Sequence, residues 1–322
     1  MSTAEARPLV AITGATGFIG RRLIPILAAA GWRTRVLVRR DPADLAWGGL
    51  DIGLVPGSLF EPSSLKALVS GADAVIHLAG LIKAPRRGDY FVANRDGTEA
   101  LGLALQQHAP AAHWLMVSSL AAREPGLSSY AASKQAAEAV ALDLGGSRVS
   151  VLRPPAVYGP GDRETLTFFQ MANWPRVPLI GTARARTAVI HVDDLCRAIV
   201  GLLQHGPTRA VHAVADAQPA GYSWQEIMQA AVQSQQIENA RYFQLPTALL
   251  KLSALAGDVG ALAGQANMLT SAKLRELLHP DWSVSPAEQL PISGWAPAYR
   301  LLDGFCDAVR AYRVAGWLGK PA

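Results

Sequence analysis

Short apolar runs alternate with longer mixed stretches along the first half of the chain. Leu9-Val10-Ala11-Ile12 is uniformly apolar and predicts a buried strand. Residues 21–30 open with Arg21-Arg22, continue Leu23-Ile24-Pro25-Ile26-Leu27, and predict a helix. Further strands are expected at 34–38, 53–59, 72–80, 113–119 and 147–152, with helices at 62–70, at 90–109 and around Tyr130. After about Gly161 the pattern becomes irregular. Segments 164–190 and 218–292 are expected to form a smaller lobe, in which 245–278 reads as apolar, leucine-rich helices. The expected division is 1–163 as the core and 164–322 mostly as the lobe, with 187–215 and the tail returning to the core.

Between the first strand and helix stands Thr13-Gly14-Ala15-Thr16-Gly17-Phe18-Ile19-Gly20. Gly14 permits a tight turn, Gly17 lets the backbone approach a pyrophosphate, and Gly20 lets the helix pack closely on the strand. The free N–H groups and positive dipole end of the helix then face the phosphates. A dinucleotide site is expected at Gly14, Thr16, Gly17, Phe18, Ile19 and Gly20. An acidic residue at the end of the second strand would bond the ribose 2′-OH and favour NAD. Arg39-Arg40 stand there instead, and guanidinium groups grip a 2′-phosphate, so NADP(H) is expected over NAD(H).

The fourth strand ends in Leu78-Ala79-Gly80, small enough to leave room for a ligand at the sheet edge. His77 reads as a packed strand residue. The fifth strand ends in Ser118-Ser119, and Tyr130 and Lys134 follow at i and i+4, on one face of a helix. A tyrosine of pKa near 10 is a poor acid–base group at neutral pH, and a nearby ammonium favours the phenolate.

Together, T-G-A-T-G-F-I-G, H-L-A-G at 77–80, Ser-Ser followed by Y-x-x-x-K, R-P-P-A-V-Y-G-P-G at 153–161 and H-V-D-D at 191–194 resemble the extended short-chain dehydrogenase/reductase family. That family includes NAD-dependent epimerases and dehydratases. The resemblance covers nearly the whole chain. It implies an α/β fold, a Rossmann doubly wound parallel sheet of seven strands with a smaller C-terminal substrate lobe. It implies Ser119, Tyr130 and Lys134 as the catalytic set, with Ser119 preferred over its neighbour Ser118. The carbonyl oxygen is held by Ser119 and protonated by Tyr130, while Lys134 tunes Tyr130 and binds ribose. It places Ser58 and Leu59 by the adenine, where Ser58 replaces an aspartate. Leu78, Ala79 and Gly80 line the ribose, Asn94 positions the active-site loops, and Pro154 and Val157 pass over the nicotinamide. Asp193 or Asp194 is expected to cap the following helix. A homodimer is the family's common assembly.

Composition narrows the function. Half the 322 residues are hydrophobic, so a large core is available. The net charge of +5 is scattered in arginine pairs without a basic run, which gives nucleic-acid binding little support and suits an anionic cofactor or membrane surface. No signal peptide or spanning run is read, and Cys196 and Cys306 have no metal-ligand spacing, so a cytoplasmic, reduced protein is expected. The main expectation is an oxidoreductase acting on a bulky, lipid- or steroid-like substrate, with 245–278 as lobe core, lipophilic lining or membrane-touching face; this stretch resembles 3β-hydroxysteroid dehydrogenase-like members. Alternatives are a nucleotide-sugar epimerase or dehydratase, and a non-catalytic cofactor-binding subunit. A dehydratase would want Asp-Glu where Leu120-Ala121 stand.

Overall fold

The computed structural model describes residues 7–40, 47–262, 270–290 and 292–319. Strands β1 (Leu9–Thr13), β2 (Arg33–Val38), β3 (Ile52–Pro56), β4 (Ala74–His77), β5 (His113–Val117) and β6 (Val149–Arg153) alternate with helices. These are α1 (Phe18–Ala29), α2 (Pro62–Val69), α3 (Arg87–Phe91), α4 (Gly97–His108) and α5 (Ser129–Gly145). There follow β7 (Ala156–Tyr158), α6 (Leu166–Ala172), β8 (Val177–Leu179), β9 (Arg186–Thr187), β10 (Val189–His191), α7 (Val192–His205) and β11 (Val211–Ala213). The chain ends with α8 (Trp224–Gln233), β12 (Tyr242–Gln244), α9 (Thr247–Leu262), α10 (Ser271–Leu277), β13 (Asp281–Trp282) and α11 (Leu301–Val314).

Seven strands form one parallel sheet in the order β11-β6-β5-β4-β1-β2-β3. The order reverses at β1, which pairs with β2 on one side and β4 on the other. Crossovers leave that point in opposite directions and open a crevice at the carboxyl ends of the strands. β1, β4 and β5 are buried along their whole length, which is why they read as unbroken apolar runs.

Helices cover both faces. On one, Leu23, Ile24 and Leu27 of α1 and Leu195, Ile199 and Leu202 of α7 share a core with β1 and β4. On the other, α2, α4 and α5 contribute Leu68, Leu101, Leu105, Ala137 and Ala141. A separate cluster joins Phe169, Trp224, Ile227 and Leu250 to Phe305 and Tyr312 of α11. Just before α11 the tail also touches the sheet side, where Ala298 N and Tyr299 N donate to buried Asp194 at 2.8 and 3.0 Å.

Two local readings change. The helix expected at 90–109 is broken by a π-helical turn, Val92–Asp96, between α3 and α4. The wider turn places Asn94 inside the molecule, a placement typical of functional π-bulges. The α7 cap is His191, whose side chain accepts from Asp193 N; Asp193 instead grips Arg22 of α1 through bonds of 2.8 and 2.6 Å. Residues 263–269 of the leucine-rich stretch lie outside the described residues. Among the described residues, no helix is long and apolar enough to cross a membrane.

Gly20 gives a direct test of the turn that opens α1. A Cβ there would lie 2.5 Å from the Ala15 Cα, so its constraint comes from the loop backbone. Gly20→Ala should cost about 1–3 kcal/mol by overpacking, read as a lowered denaturant midpoint. An unchanged midpoint would refute the packing assigned to this turn.

Candidate active site

The glycine loop crosses the crevice at the sheet's reversal point. Gly14 adopts φ +75°, and a Cβ there would lie 2.6 Å from Ala79 N, so the loop packs directly on the backbone leaving β4. Gly17 precedes α1 in extended conformation and donates its N–H to Gly14 O at 3.0 Å. A Gly17 Cβ would stand 3.2 Å from that oxygen. Thr16, Phe18 and Ile19 complete this cradle, whose backbone donors and glycine positions fit a pyrophosphate.

Neighbouring loops are tied to it. Thr13 Oγ1 bonds His77 Nδ1 at 2.6 Å, and His77 Nε2 bonds Thr98 Oγ1 at 3.0 Å. Burial, then the charge of Lys134, lowers the His77 pKa to about 3, so it is a neutral core residue, as its strand position predicts. Asn94 Oδ1 accepts from Leu81 N at 2.6 Å, while its Nδ2 donates to Leu81 O at 3.1 Å and to Ser133 Oγ at 2.9 Å. The loop after β4 is thereby fastened to α5. A Cβ on Gly80 would lie 3.1 Å from Asn94 Oδ1 and 3.9 Å from Lys134 Nζ, so these three residues meet at one point. The Pro154 carbonyl accepts from Leu120 N at 2.8 Å, joining the loops after β5 and β6. Val157 lies in β7, paired with Ile190. Leu59 packs where α4 begins: a Gly97 Cβ would lie 2.9 Å from Leu59 Cδ1. Ser58 Oγ accepts from Phe60 N at 3.3 Å at the edge of the sheet.

Helix α5 carries the reactive groups. Tyr130, Lys134 and Glu138 follow at four-residue spacing along one stripe. Lys134 is buried, and its Nζ donates to the Val117 carbonyl at 3.0 Å. Desolvation lowers its pKa to about 8, with Glu138 pulling the other way. Glu138 is itself held by Arg153 at the end of β6 through bonds of 2.8 and 2.6 Å. The sequence reading missed Glu138 and Arg153, although the i+4 spacing from Lys134 was a signal for the former.

Of the two serines, Ser118 is buried and Ser119 is the one whose hydroxyl acts on Tyr130, pulling its pKa down. Ser119 Oγ also caps the short helix Leu120–Arg123, accepting from Ala121 N at 3.2 Å. Tyr130 differs from expectation. Desolvation raises its pKa above the usual value; Ser119 and Lys273 pull it down less strongly, and Glu276 and Tyr90 add to the rise. A phenol held protonated beside a serine hydroxyl and a buried lysine can deliver a proton to an oxygen placed between them.

The family model for "NAD dependent epimerase/dehydratase family" matches residues 10–214. The ceramide reductase of Caulobacter vibrioides (strain NA1000 / CB15N) is 42% identical over 318 residues, which cover 98% of this chain and 98% of that one. The crystal structure of gox2253 has a TM-score of 0.76 at 21% identity, covering 98% of this chain and all, 100%, of that one. MoeE5 in complex with UDP-glucuronic acid and NAD has a TM-score of 0.71 at 20% identity, covering 96% of this chain and 99% of that one. At these identities the solved structures show a shared fold.

The expectation of NADP(H) is corrected by the same comparison. Similar solved structures that hold a dinucleotide hold NAD. Arg39 and Arg40 stand exposed beyond β2 and form no ion pair among the described residues. Two solvated arginines supply positive charge without the fixed fork that recognises a 2′-phosphate.

The Glu138–Arg153 pair is buried on its acidic side, with side-chain exposures of 4% and 18%. Glu138→Gln should therefore destabilise the fold by about 3 kcal/mol, because Arg153 loses its partner. Urea unfolding would check this, and an unchanged midpoint would contradict the burial.

Proposed function

The chain belongs to the NAD dependent epimerase/dehydratase family, and on that premise we propose that it reduces a ketone on a bulky, N-acylated lipid of ceramide type, with NADH as the reductant. The observation that supports the chemistry is Tyr130 one helical turn before the buried Lys134 on α5, with the Ser119 hydroxyl acting on it. The full-length relationship to a ceramide reductase supports the substrate class. Lobe residues between 164 and 322, apart from 187–215 and the tail, supply the substrate wall in this reading.

NADH, when bound, would supply the hydride that the carbonyl carbon accepts. Ser119 donates to the carbonyl oxygen and orients it. Tyr130 gives that oxygen its proton as negative charge develops there. Lys134 supplies a positive field beside the nicotinamide ribose, and Asn94 holds the Leu81 loop that shapes the pocket. The cradle Gly14, Thr16, Gly17, Phe18, Ile19 and Gly20 takes the pyrophosphate. Gly80, Pro154 and Val157 border the nicotinamide end, while Ser58 and Leu59 border the adenine.

A nucleotide-sugar reading is favoured by the NAD and UDP complexes of similar fold. Against a dehydratase stands the loop after Ser119, where Leu120 and Ala121 offer no acid or base.

The test is NADH oxidation in the presence of a long-chain 3-keto-N-acyl lipid or a UDP-hexose. Turnover with the lipid and none with the sugar nucleotide supports the reading; the reverse overturns it. Tyr130→Phe should lower kcat by about 100-fold or more with NADH affinity nearly unchanged. Unchanged turnover would remove Tyr130 from the acid role. Reduction by the native chain should also decline as pH rises through about 8, where Lys134 loses its charge. A rate constant flat to pH 10 would argue that Lys134 does not set it.

A further inference from the structure

The lobe helix α10 is docked on the N-terminal end of α5, the helix that carries Tyr130. Arg275 Nε donates to the Leu127 carbonyl at 2.9 Å. Glu276, buried, accepts from Ser128 Oγ, and that same hydroxyl caps α5 by accepting from Ala131 N at 2.9 Å. Trp282 Nε1 bonds the Glu276 carbonyl at 2.8 Å and pins α10 to β13. The other carboxylate oxygen of Glu276 takes Lys273 Nζ at 3.0 Å.

This arrangement fixes Lys273 on the lobe wall of the cleft. Its side chain is 56% exposed, and one carboxylate leaves an ammonium with further N–H donors to offer. Its charge acts on Tyr130 and also on Glu164. Glu164 is bridged by Lys83, from the loop after β4, at 2.6 Å. The bonds from Lys273 to Glu276 and from Ser128 to Glu276 bring the ammonium to the start of α5, two residues before Tyr130. The two ammonium groups at this rim are each matched by a carboxylate, Lys273 by Glu276 and Lys83 by Glu164. Such paired cations offer strong hydrogen-bond donors with little net positive charge. That suits a neutral polar group better than a pyrophosphate.

Resting on the ketone-reductase reading above, we propose that Lys273 determines substrate specificity by donating to the amide carbonyl of the N-acyl chain, close to the ketone that Tyr130 protonates. Glu276 is the positioning residue that aims it. The sequence supplies no local signal for this role, because Glu276 meets Ser128 across 148 residues of chain.

The experiment compares a 3-keto-N-acyl lipid with the chain-matched ketone that lacks the acyl group, using the native chain, Lys273→Met and Lys273→Arg. A hydrogen bond from a charged donor to a neutral acceptor corresponds to about a tenfold or greater effect. Lys273→Met should raise KM for the N-acyl ketone by at least about that factor, with the KM of NADH and the KM of the acyl-free ketone unchanged. Lys273→Arg, which keeps a cationic donor, should restore most of the loss. A purely structural role would move both ketones and the melting temperature together. Equal changes for the two ketones, or none, would overturn the proposal. Reduction of the acyl-free ketone but not the N-acyl one by the native chain would overturn the amide assignment and the N-acyl substrate class together, leaving only carbonyl reduction standing. Reduction of neither would overturn carbonyl reduction as well. Lys273→Gln, neutral but still able to bond Glu276, keeps the comparison readable if Lys273→Met does not fold.

Discussion

A buried ammonium is expensive, and the site is arranged around the groups that make one tolerable. Lys134 gives up water for one carbonyl, that of Val117, and the nearby charge of Glu138. Glu138 in turn needs Arg153, which ties α5 to the end of β6. The stripe Tyr130, Lys134, Glu138 thus continues into an ion pair, and the position of the reactive end depends on that pair. On the other side Gly80 and Asn94 close around the Lys134 ammonium, and the π-helical turn is what brings Asn94 there.

The topology supplies the place for this arrangement. The sheet reverses at β1, so the glycine loop, the exit of β4 and the Ser119 loop all open toward one crevice. Desolvation in that crevice acts oppositely on the two reactive groups. It lowers the pKa of Lys134 and raises that of Tyr130, moving both toward their neutral forms. A neutral phenol is the form a carbonyl reduction consumes. The lobe adds the remaining control, since α10 braces the start of α5 and brings Lys273 and Glu276 within electrostatic reach of Tyr130.

Features encoded by local pattern were readable in the sequence. The strands are apolar because the sheet is covered on both faces, and the glycines mark contacts that a Cβ would block. The i, i+4 spacing of Tyr130 and Lys134 also survives unchanged. What depends on distant contacts was not readable. The π-helical turn looks like an ordinary helix in sequence, and Asp194 looks like a cap until the tail supplies Ala298 N and Tyr299 N. The Tyr130 pKa was misjudged because proximity to an ammonium can be read from spacing whereas desolvation requires the packed structure. Arg39 and Arg40 misled for a related reason: charge can be read from sequence, but the fixed geometry that would make it a phosphate clamp cannot.

The most direct test of this account is an NMR titration of the lysine side chains in the intact protein, with Lys134→Met as the assignment control. The chain has only six lysines in 322 residues, so the signals can be separated. The account predicts that one lysine titrates at about 8 and that its signal is missing from the variant. Titration of every lysine near the ordinary value of about 10.4 would contradict the buried ammonium on which the site depends.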